Sequence, residues 1–376
     1  MTPRKRMLTA FARKQPDRVP VFPWFWSILP GQVVGREPRD FDSELPMWKA
    51  QLETIRHFGC DGWVFAWLGE SSQEKRYRVE EKTVESPQGV REVTTIYHTS
   101  EGRLRTRTQI PPWDNGAVLE GLVKDVDDDI EKFGEVFFDA DPWTRDIGEM
   151  ERMIEQTGED AVCHGAVGTN FFEMWAGARD GGRTRAVYDL YDHSNRLRIL
   201  QDKFTEYAVE QTKAILERVK VDAIFGNAAE LDVLGPSLYS QWVIPTISAV
   251  SRVTRKHDVF LHVHLHGKSM EALDALIDAG VDVIDPFEKP PMGDADLREV
   301  KKRYGEKICI CGNIKSVDTL LRGTREDVEH EVRGCIQAAS EGGGYVLTSA
   351  DEVALDTPFE NIRQMVEAAH EYGQYS

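Results

Sequence analysis

Three histidines alternate along one short apolar stretch, Val259-Phe-Leu-His262-Val-His264-Leu-His266-Gly267. In an extended strand every second side chain projects to the same face, so all three imidazoles share one side. Neutral imidazole is the commonest protein ligand for transition metals. Two histidines two residues apart can reach one zinc ion, and a third ligand from another strand would leave a coordination position open, as catalytic zinc requires. His264 and His266 are therefore candidate metal ligands, while His262 lies deeper in the strand and reads as structural. The same pattern also suits a hydrogen-bonded cluster of core histidines. Cys309 and Cys311 share a face in the same way. Each can pack as a small apolar side chain, and Cys311 is a candidate further ligand.

A site of this kind needs elements to present it. Eight short β-rich runs recur along the chain: Val19–Trp24, Gly62–Trp67, Ala161–Val167, Asp222–Gly226, Val259–Leu265, Val281–Pro286, Ile308–Gly312 and Tyr345–Ser349. Near-continuous apolar strands separated by amphipathic helices indicate a parallel sheet covered on both faces. Eight such units predict an α/β fold of the (β/α)8 TIM barrel type, with an open doubly wound sheet as the alternative. No Gly-x-Gly-x-x-Gly follows the first run, which weakens a dinucleotide-binding version of that alternative. In a barrel of this kind catalytic groups sit at the C-terminal ends of the strands. Those ends carry Asn227 and Glu230 after the fourth run, and His264 and His266 on the fifth. Asp285 and Glu288 follow on the sixth, Cys311 on the seventh, and Asp351 and Glu352 after the eighth. Glu230 and Asp351 are the candidate catalytic carboxylates, and Asp351 is also a candidate ligand.

The connecting segments carry their own signals. Thr2 and Pro3 suit the start of a helix that ends before Pro16; the same basic N-terminus could also be read as a transit peptide. Residues 201–219 place Phe204, Ala208, Thr212, Ile215 and Val219 on one helical side. Ser269 is expected to open a helix closed by Gly280, Ser316 one closed near Gly323, and Thr357-Pro-Phe-Glu360 a last helix with a capping box. Residues 76–110 alternate as strands around turn signals at Pro87-Gln-Gly89 and Ser100-Glu-Gly102. They predict a β-hairpin insertion after strand 2, within an insertion spanning about 69–160 of one domain covering 1–376. The acidic run Asp125–Glu131 reads as a solvated face.

Composition narrows the function. The chain carries 46 Lys and Arg against 64 Asp and Glu, a net charge of −18. Nucleic-acid binding needs concentrated positive charge, so neither nucleic acid nor an anionic membrane is an expected partner. No apolar run reaches the roughly 18 residues of a membrane span. Five cysteines in 376 residues make no disulfide framework, and a reducing cytoplasm is the expected location.

Several of these stretches resemble the uroporphyrinogen decarboxylase-like superfamily. The resemblance rests on Lys14-Gln-Pro-Asp-Arg-Val-Pro-Val21, on Val259–Lys268, on Ile308–Asn313 and on Asp356-Thr-Pro-Phe-Glu-Asn-Ile362. It covers nearly the whole chain and implies the same (β/α)8 fold. Decarboxylases of this family use no metal and carry an N-terminal arginine-rich segment of the type Arg-Gln-Ala-Gly-Arg. Here the equivalent stretch is Val21-Phe-Pro-Trp-Phe-Trp26, without arginine. A tetra-acidic porphyrinogen needs cationic partners, so the resemblance points instead to the cobalamin-dependent methyltransferase branch.

That branch holds zinc through a His-x-Cys pair after strand five and a cysteine after strand eight. This chain places His264-Leu-His266 at the pair and Ala350-Asp351 at the later cysteine, so both thiolates are replaced. A His/carboxylate site leaves more positive charge on the metal and favours activation of an ether oxygen over a thiol. The resemblance thus implies zinc, a corrinoid (cobalamin) carried by a partner protein, and a small-molecule methyl donor such as an aryl methyl ether. Trp24, Phe25, Trp26, Trp63 and Trp67, with Asn227, would line its pocket. A metal-free decarboxylase or lyase, a metal-dependent hydrolase or isomerase, and a binding protein that has lost its thiolates stand as alternatives.

Overall fold

A computed structural model describes residues 1–41, 44–114, 116–228 and 231–375. All eight expected runs form strands: β1 (Val21–Phe22), β2 (Trp63–Ala66), β7 (Val162–Ala166), β8 (Ala223–Asn227), β9 (Phe260–Leu265), β10 (Val283–Pro286), β11 (Cys309–Cys311) and β12 (Tyr345–Thr348). They make one eight-stranded sheet in the order β1-β12-β11-β10-β9-β8-β7-β2, and every recorded pairing is parallel. The two ends of this order meet. The Asp61 amide donates to the Val21 carbonyl at 2.9 Å, and the Asp61 carboxylate accepts the Val21 amide at 3.0 Å. Across the same seam the Phe22 and Trp63 rings lie 4.5 Å apart. The sheet is therefore closed into a barrel, and its seam is locked mainly by one aspartate. β1 is shorter than its apolar run because Pro20 and Pro23 bracket it and have no amide to donate.

The helix Pro3–Phe11 has Thr2 as its N-cap, as its sequence requires, and buries Met7, Ala10 and Phe11. Phe11 plugs the N-terminal end of the barrel against Phe260 and His262, with centroids 5.8 and 5.6 Å away. The segment is thus built into the fold. The helix Ser194–Leu216 buries Phe204, Ala208, Thr212 and Ile215 on one side, as the spacing predicts.

Three local expectations need correction. The helix expected at Ser269 begins at Leu273, because residues 269–272 form a turn whose Ala272 amide bonds the Ser269 carbonyl; its Gly280 cap is as expected, at φ 96°. A side chain there would run into Ser251 Oγ at 2.2 Å. The helix Phe359–Tyr372 has no side-chain cap: the Thr357 hydroxyl donates backward to the Ala354 carbonyl at 2.7 Å. The acidic run is not only a solvated face. Asp125 caps the helix Val126–Phe137, and the largely buried Asp129 accepts the Lys124 and Asp125 amides. The capping box that does form is elsewhere, at the helix Arg325–Ala339, where Thr324 and Asp327 bond each other's amides at 3.2 and 2.8 Å. Thr324→Ala should lower stability by about 1 kcal/mol, read as a shifted denaturant midpoint with an unchanged slope.

The insertion after β2 is larger than a hairpin. It is a four-stranded antiparallel sheet of β3 (Arg78–Glu85), β4 (Arg91–Thr99), β5 (Gly102–Ile110) and β6 (Ala117–Glu120). The two expected turns join β3 to β4 and β4 to β5. The fourth strand went unpredicted because Ala117-Val-Leu-Glu120 is too short to show alternation. Arg39, in the 3-10 helix Pro38–Asp40 of the connection between β1 and β2, donates to the Gly89 and Ile110 carbonyls, and Arg91 pairs with Asp40 at 3.0 Å. These bonds hold the inserted sheet beside the C-terminal mouth of the barrel.

Candidate active site

The site is built on β9. His262 and His264 alternate into the barrel interior, and His266 follows just beyond the strand end. In the register of β9 with β10, Asp285 stands opposite His264. Its carboxylate is fully buried, and each oxygen takes one imidazole: Oδ1 lies 2.9 Å from His262 Nε2 and Oδ2 lies 2.9 Å from His264 Nδ1. Burial alone would push this carboxyl up, but its interactions with the His264 and His262 imidazoles outweigh that and hold it well below the usual carboxylate range. Deeper in the barrel His262 Nδ1 meets His164 Nε2 at 3.3 Å, and burial together with neighbouring His262 pushes His164 well below the ordinary histidine value.

Towards the mouth the chain of contacts continues. His264 Nε2 and His266 Nε2 are 2.8 Å apart, Asp351 Oδ1 is 3.9 Å from His266 Nε2, and Glu288 Oε2 is 3.6 Å from His266 Nδ1. Burial would lower the pKa of His266, yet the bond to Glu288 and the charge of Asp351 raise it to about 9. Burial would raise Glu288, but His266 and the Gly267 amide bring it below its ordinary value.

Ligand atoms of His264, His266 and Asp351 all lie within 4.8 Å of one another, so three predicted ligands from two strand ends converge. The donor set fits a divalent ion such as zinc. Two nitrogens on a tetrahedral zinc, with bonds of about 2.0–2.1 Å, are about 3.3 Å apart, so the imidazoles at 2.8 Å need to separate by only about half an ångström. Cys311 is not in this group. It is fully buried on β11, where burial and the adjoining Cys309 push its thiol far above the normal range. Glu230 lies outside the described residues.

The aromatic candidates gather over the same spot. Trp24 stacks on His264 with centroids 5.0 Å apart and planes 25° off parallel, and Trp26 lies nearly parallel to Trp24 at 6.2 Å. Trp67 meets Trp26 edge-on at 5.4 Å and is 44% exposed, so it forms the outer end of the wall. Phe65 backs Trp26 at 5.3 Å. Trp63 lies below, fully buried and edge-on to His262, and Phe25 is core. Asn227 is the register neighbour of His264; its side-chain amide donates to Glu173, and its buried Oδ1 has no partner.

Residue-by-residue reading of the sequence assigned no role to Asp285, Glu288, His164 or Glu352. Glu352 accepts the amides of Trp26, Ser27 and Ile28 at 3.1, 3.0 and 3.1 Å and so fixes the turn that carries the tryptophans. Asp285 stands on β10 where His264 stands on β9, so the strand-end reading names the residue but not its role.

The fold and site define a (β/α)8 barrel with a histidine–carboxylate cluster at its C-terminal mouth. The family model described as uroporphyrinogen decarboxylase (URO-D) matches residues 151–372, and the chain belongs to that family. Among characterised relatives, it is 32% identical over 172 residues to the methylcobamide:CoM methyltransferase MtaA of Methanosarcina barkeri, covering 46% of this chain and 48% of that one. It is 25% identical over 185 residues to the methylcobamide:CoM methyltransferase MtbA of Methanosarcina mazei, covering 49% and 52%. It is 24% identical over 187 residues to a uroporphyrinogen decarboxylase of Legionella pneumophila, covering 48% and 50%. The matches span about half the length of these curated relatives. A solved methyltransferase from Methanosarcina mazei has the same fold over 99% of both chains, with a TM-score of 0.69 at 17% identity.

Proposed function

We propose that this chain, one barrel domain over residues 1–376 with its insertion at about 69–160, is a corrinoid-dependent methyltransferase. It would take a methyl group from a small O-methyl substrate, an aryl methyl ether being the favoured class, and pass it to the cobalt of a corrinoid carried by a partner protein. The observation that carries this reading is the convergence of His264, His266 and Asp351 beside the Trp24–Trp26–Trp67 wall. The methyltransferase relatives support it, and so does the absence of arginine from Val21–Trp26.

His264, His266 and Asp351 are the residues that would hold zinc. A bound zinc ion would supply Lewis acidity to the oxygen that carries the methyl group. Asp285 holds the His264 ring from behind and Glu288 faces the far side of His266, so both rings keep their orientation. The tryptophan wall offers a flat apolar surface for an aromatic ring and keeps water from the reacting carbon. Asn227 Oδ1 is available to accept a hydrogen bond from the substrate. In the transfer the C–O bond breaks with its electron pair left on oxygen, and the methyl carbon bonds to the reduced acceptor. No helix among the described residues is long and apolar enough to cross a membrane. The five free cysteines suit a reducing cytoplasm.

The test supplies the zinc-loaded protein with cob(I)alamin and a panel of aryl methyl ethers. The expected result is the spectrum of methylcobalamin together with the demethylated phenol. Uroporphyrinogen should lose no carboxyl group, since Val21–Trp26 offers no arginine to pair with an acidic substrate. Decarboxylation of uroporphyrinogen, or ether cleavage that proceeds equally well without any corrinoid, would overturn the proposal.

A further inference from the structure

The hydrogen bonds below His264 form an unbroken chain. It runs from His164 Nε2 to His262 Nδ1 at 3.3 Å, from His262 Nε2 to Asp285 Oδ1 at 2.9 Å, and from Asp285 Oδ2 to His264 Nδ1 at 2.9 Å. His164, His262 and Asp285 are each fully buried. Of these groups only His264 belongs to the converging ligand set.

Counting donors fixes where every proton sits. An ionised carboxylate accepts at both oxygens, so His262 presents Nε2–H to Oδ1 and His264 presents Nδ1–H to Oδ2. A neutral His262 then has a bare Nδ1, and His164 must donate to it from Nε2. That leaves His164 Nδ1 as a bare acceptor, in keeping with its lack of any partner. The reverse assignment makes His262 an imidazolium. His164 would then have to accept at Nε2 and carry its proton on Nδ1, a buried donor with nothing to bond; an orphaned donor of this kind is costly. The first assignment satisfies every N–H in the chain. Its consequence at the other end is that His264 Nε2 carries a lone pair facing His266 and Asp351.

We propose that His262, backed by His164, is a positioning residue that clamps Asp285 and thereby selects the tautomer of His264 whose bare Nε2 points into the mouth. This rests on the metal reading above for its purpose but not for its geometry. With one oxygen pinned by His262, Asp285 cannot turn away, and the second oxygen stays in line with His264 Nδ1. Without that pin, the carboxylate is free to rotate, and His264 can carry its proton on either nitrogen. Loss of such an outer partner typically weakens metal binding by about 10–100-fold.

The experiment pairs two readouts on the full chain. Two-bond 1H–15N spectra of histidine-labelled, metal-free protein report each ring's tautomer, and competition with a chromophoric chelator reports zinc affinity. In the wild type, His264 should be the Nδ1–H tautomer and His262 the neutral Nε2–H tautomer. His262→Phe keeps the ring shape but removes the donor. It should lose the fixed His264 tautomer and bind zinc about 10–100-fold more weakly. His262→Gln, which returns an N–H near the Nε2 position, should restore affinity to within about threefold. An imidazolium signal for His262, an unchanged His264 spectrum in His262→Phe, or wild-type zinc affinity in that variant would each overturn the proposal. Wild-type protein that binds no zinc would remove the metal reading instead, and its own tautomer spectrum would still judge the clamp. That spectrum also decides the matter if His262→Phe does not fold.

Discussion

His264→Ala and His266→Ala are each expected to abolish stoichiometric zinc binding and, with it, methyl transfer to cob(I)alamin. Each would remove one of two nitrogens from the proposed three-residue ligand set, so the loss should exceed the 10–100-fold typical of an outer partner. The two variants should differ in a second respect. His264 is 9% exposed and supplies one of the two donors to the buried Asp285 carboxylate. Its removal leaves that oxygen unpaired, at a cost of about 1–3 kcal/mol in folding stability. The His266 side chain is 41% exposed, and what its removal costs is the charge pairing that raises its pKa to about 9, a loss present at neutral pH and gone above that value. Asp351→Ala should weaken the metal less, since its oxygen stands 3.9 Å from His266 and its side chain is 47% exposed.

Wild-type affinity should also depend on pH with a defined sign. The pKa of His266 is raised to about 9, so at neutral pH its ring carries a proton that a metal must displace. Zinc affinity should fall about tenfold for each unit of pH lost between 8 and 6. An affinity that is flat across that range, or a His266→Ala protein that still binds one zinc per chain, would remove His266 from the ligand set.

The barrel was legible because each strand is buried on both faces and therefore reads as an uninterrupted apolar run, whatever its partners. The convergence of His264 and His266 was legible for a similar reason: a period of two is a property of one strand alone. What escaped the sequence depends on how separate strands line up. Asp285 serves His264 only because β9 and β10 pair with His264 opposite Asp285, and neither strand encodes that register by itself. Glu352 is bound to residues 26–28, more than 320 positions away, through a turn that exists only once β1 lies beside β12. Local signals failed where a tertiary contact competed with them. Thr357 has the residue type of an N-cap, yet its hydroxyl is taken by the Ala354 carbonyl in the preceding turn. Cys311 shows the opposite error. Its strand-end position marks it as a ligand candidate, but its thiol is fully buried on β11 and does not join the group formed by His264, His266 and Asp351.

The other large effect lies at the opposite end of the barrel. Asp61 is fully buried and joins four groups: Arg6 and Arg18 each reach one of its oxygens at 2.6 Å, the Val21 amide donates to it, and its own amide donates to the Val21 carbonyl. β1 and β2 have no other recorded backbone bond, so this residue does for the seam what a ladder does between every other pair of strands. Asp61→Ala keeps the backbone bond but leaves two nearly buried guanidinium groups without their shared anion and the Val21 amide without an acceptor. Arg6 can fall back on Asp17 at 2.6 Å, whereas Arg18 has no second carboxylate among its recorded bonds. Breaking a buried pair in this way costs about 3–5 kcal/mol. With a urea slope of about 3 kcal/mol per molar, the unfolding midpoint should drop by at least about 1 M. Asp61→Asn, which retains one acceptor for the Val21 amide, should lose less. Zinc content per folded chain should be the same in both variants as in the wild type, because the seam aspartate is at the N-terminal end of the barrel and the histidine cluster at the other. A midpoint shift below about 0.3 M for Asp61→Ala would mean that the arginines find water instead, and that the packing of Phe22 on Trp63 closes the barrel without help from the charge.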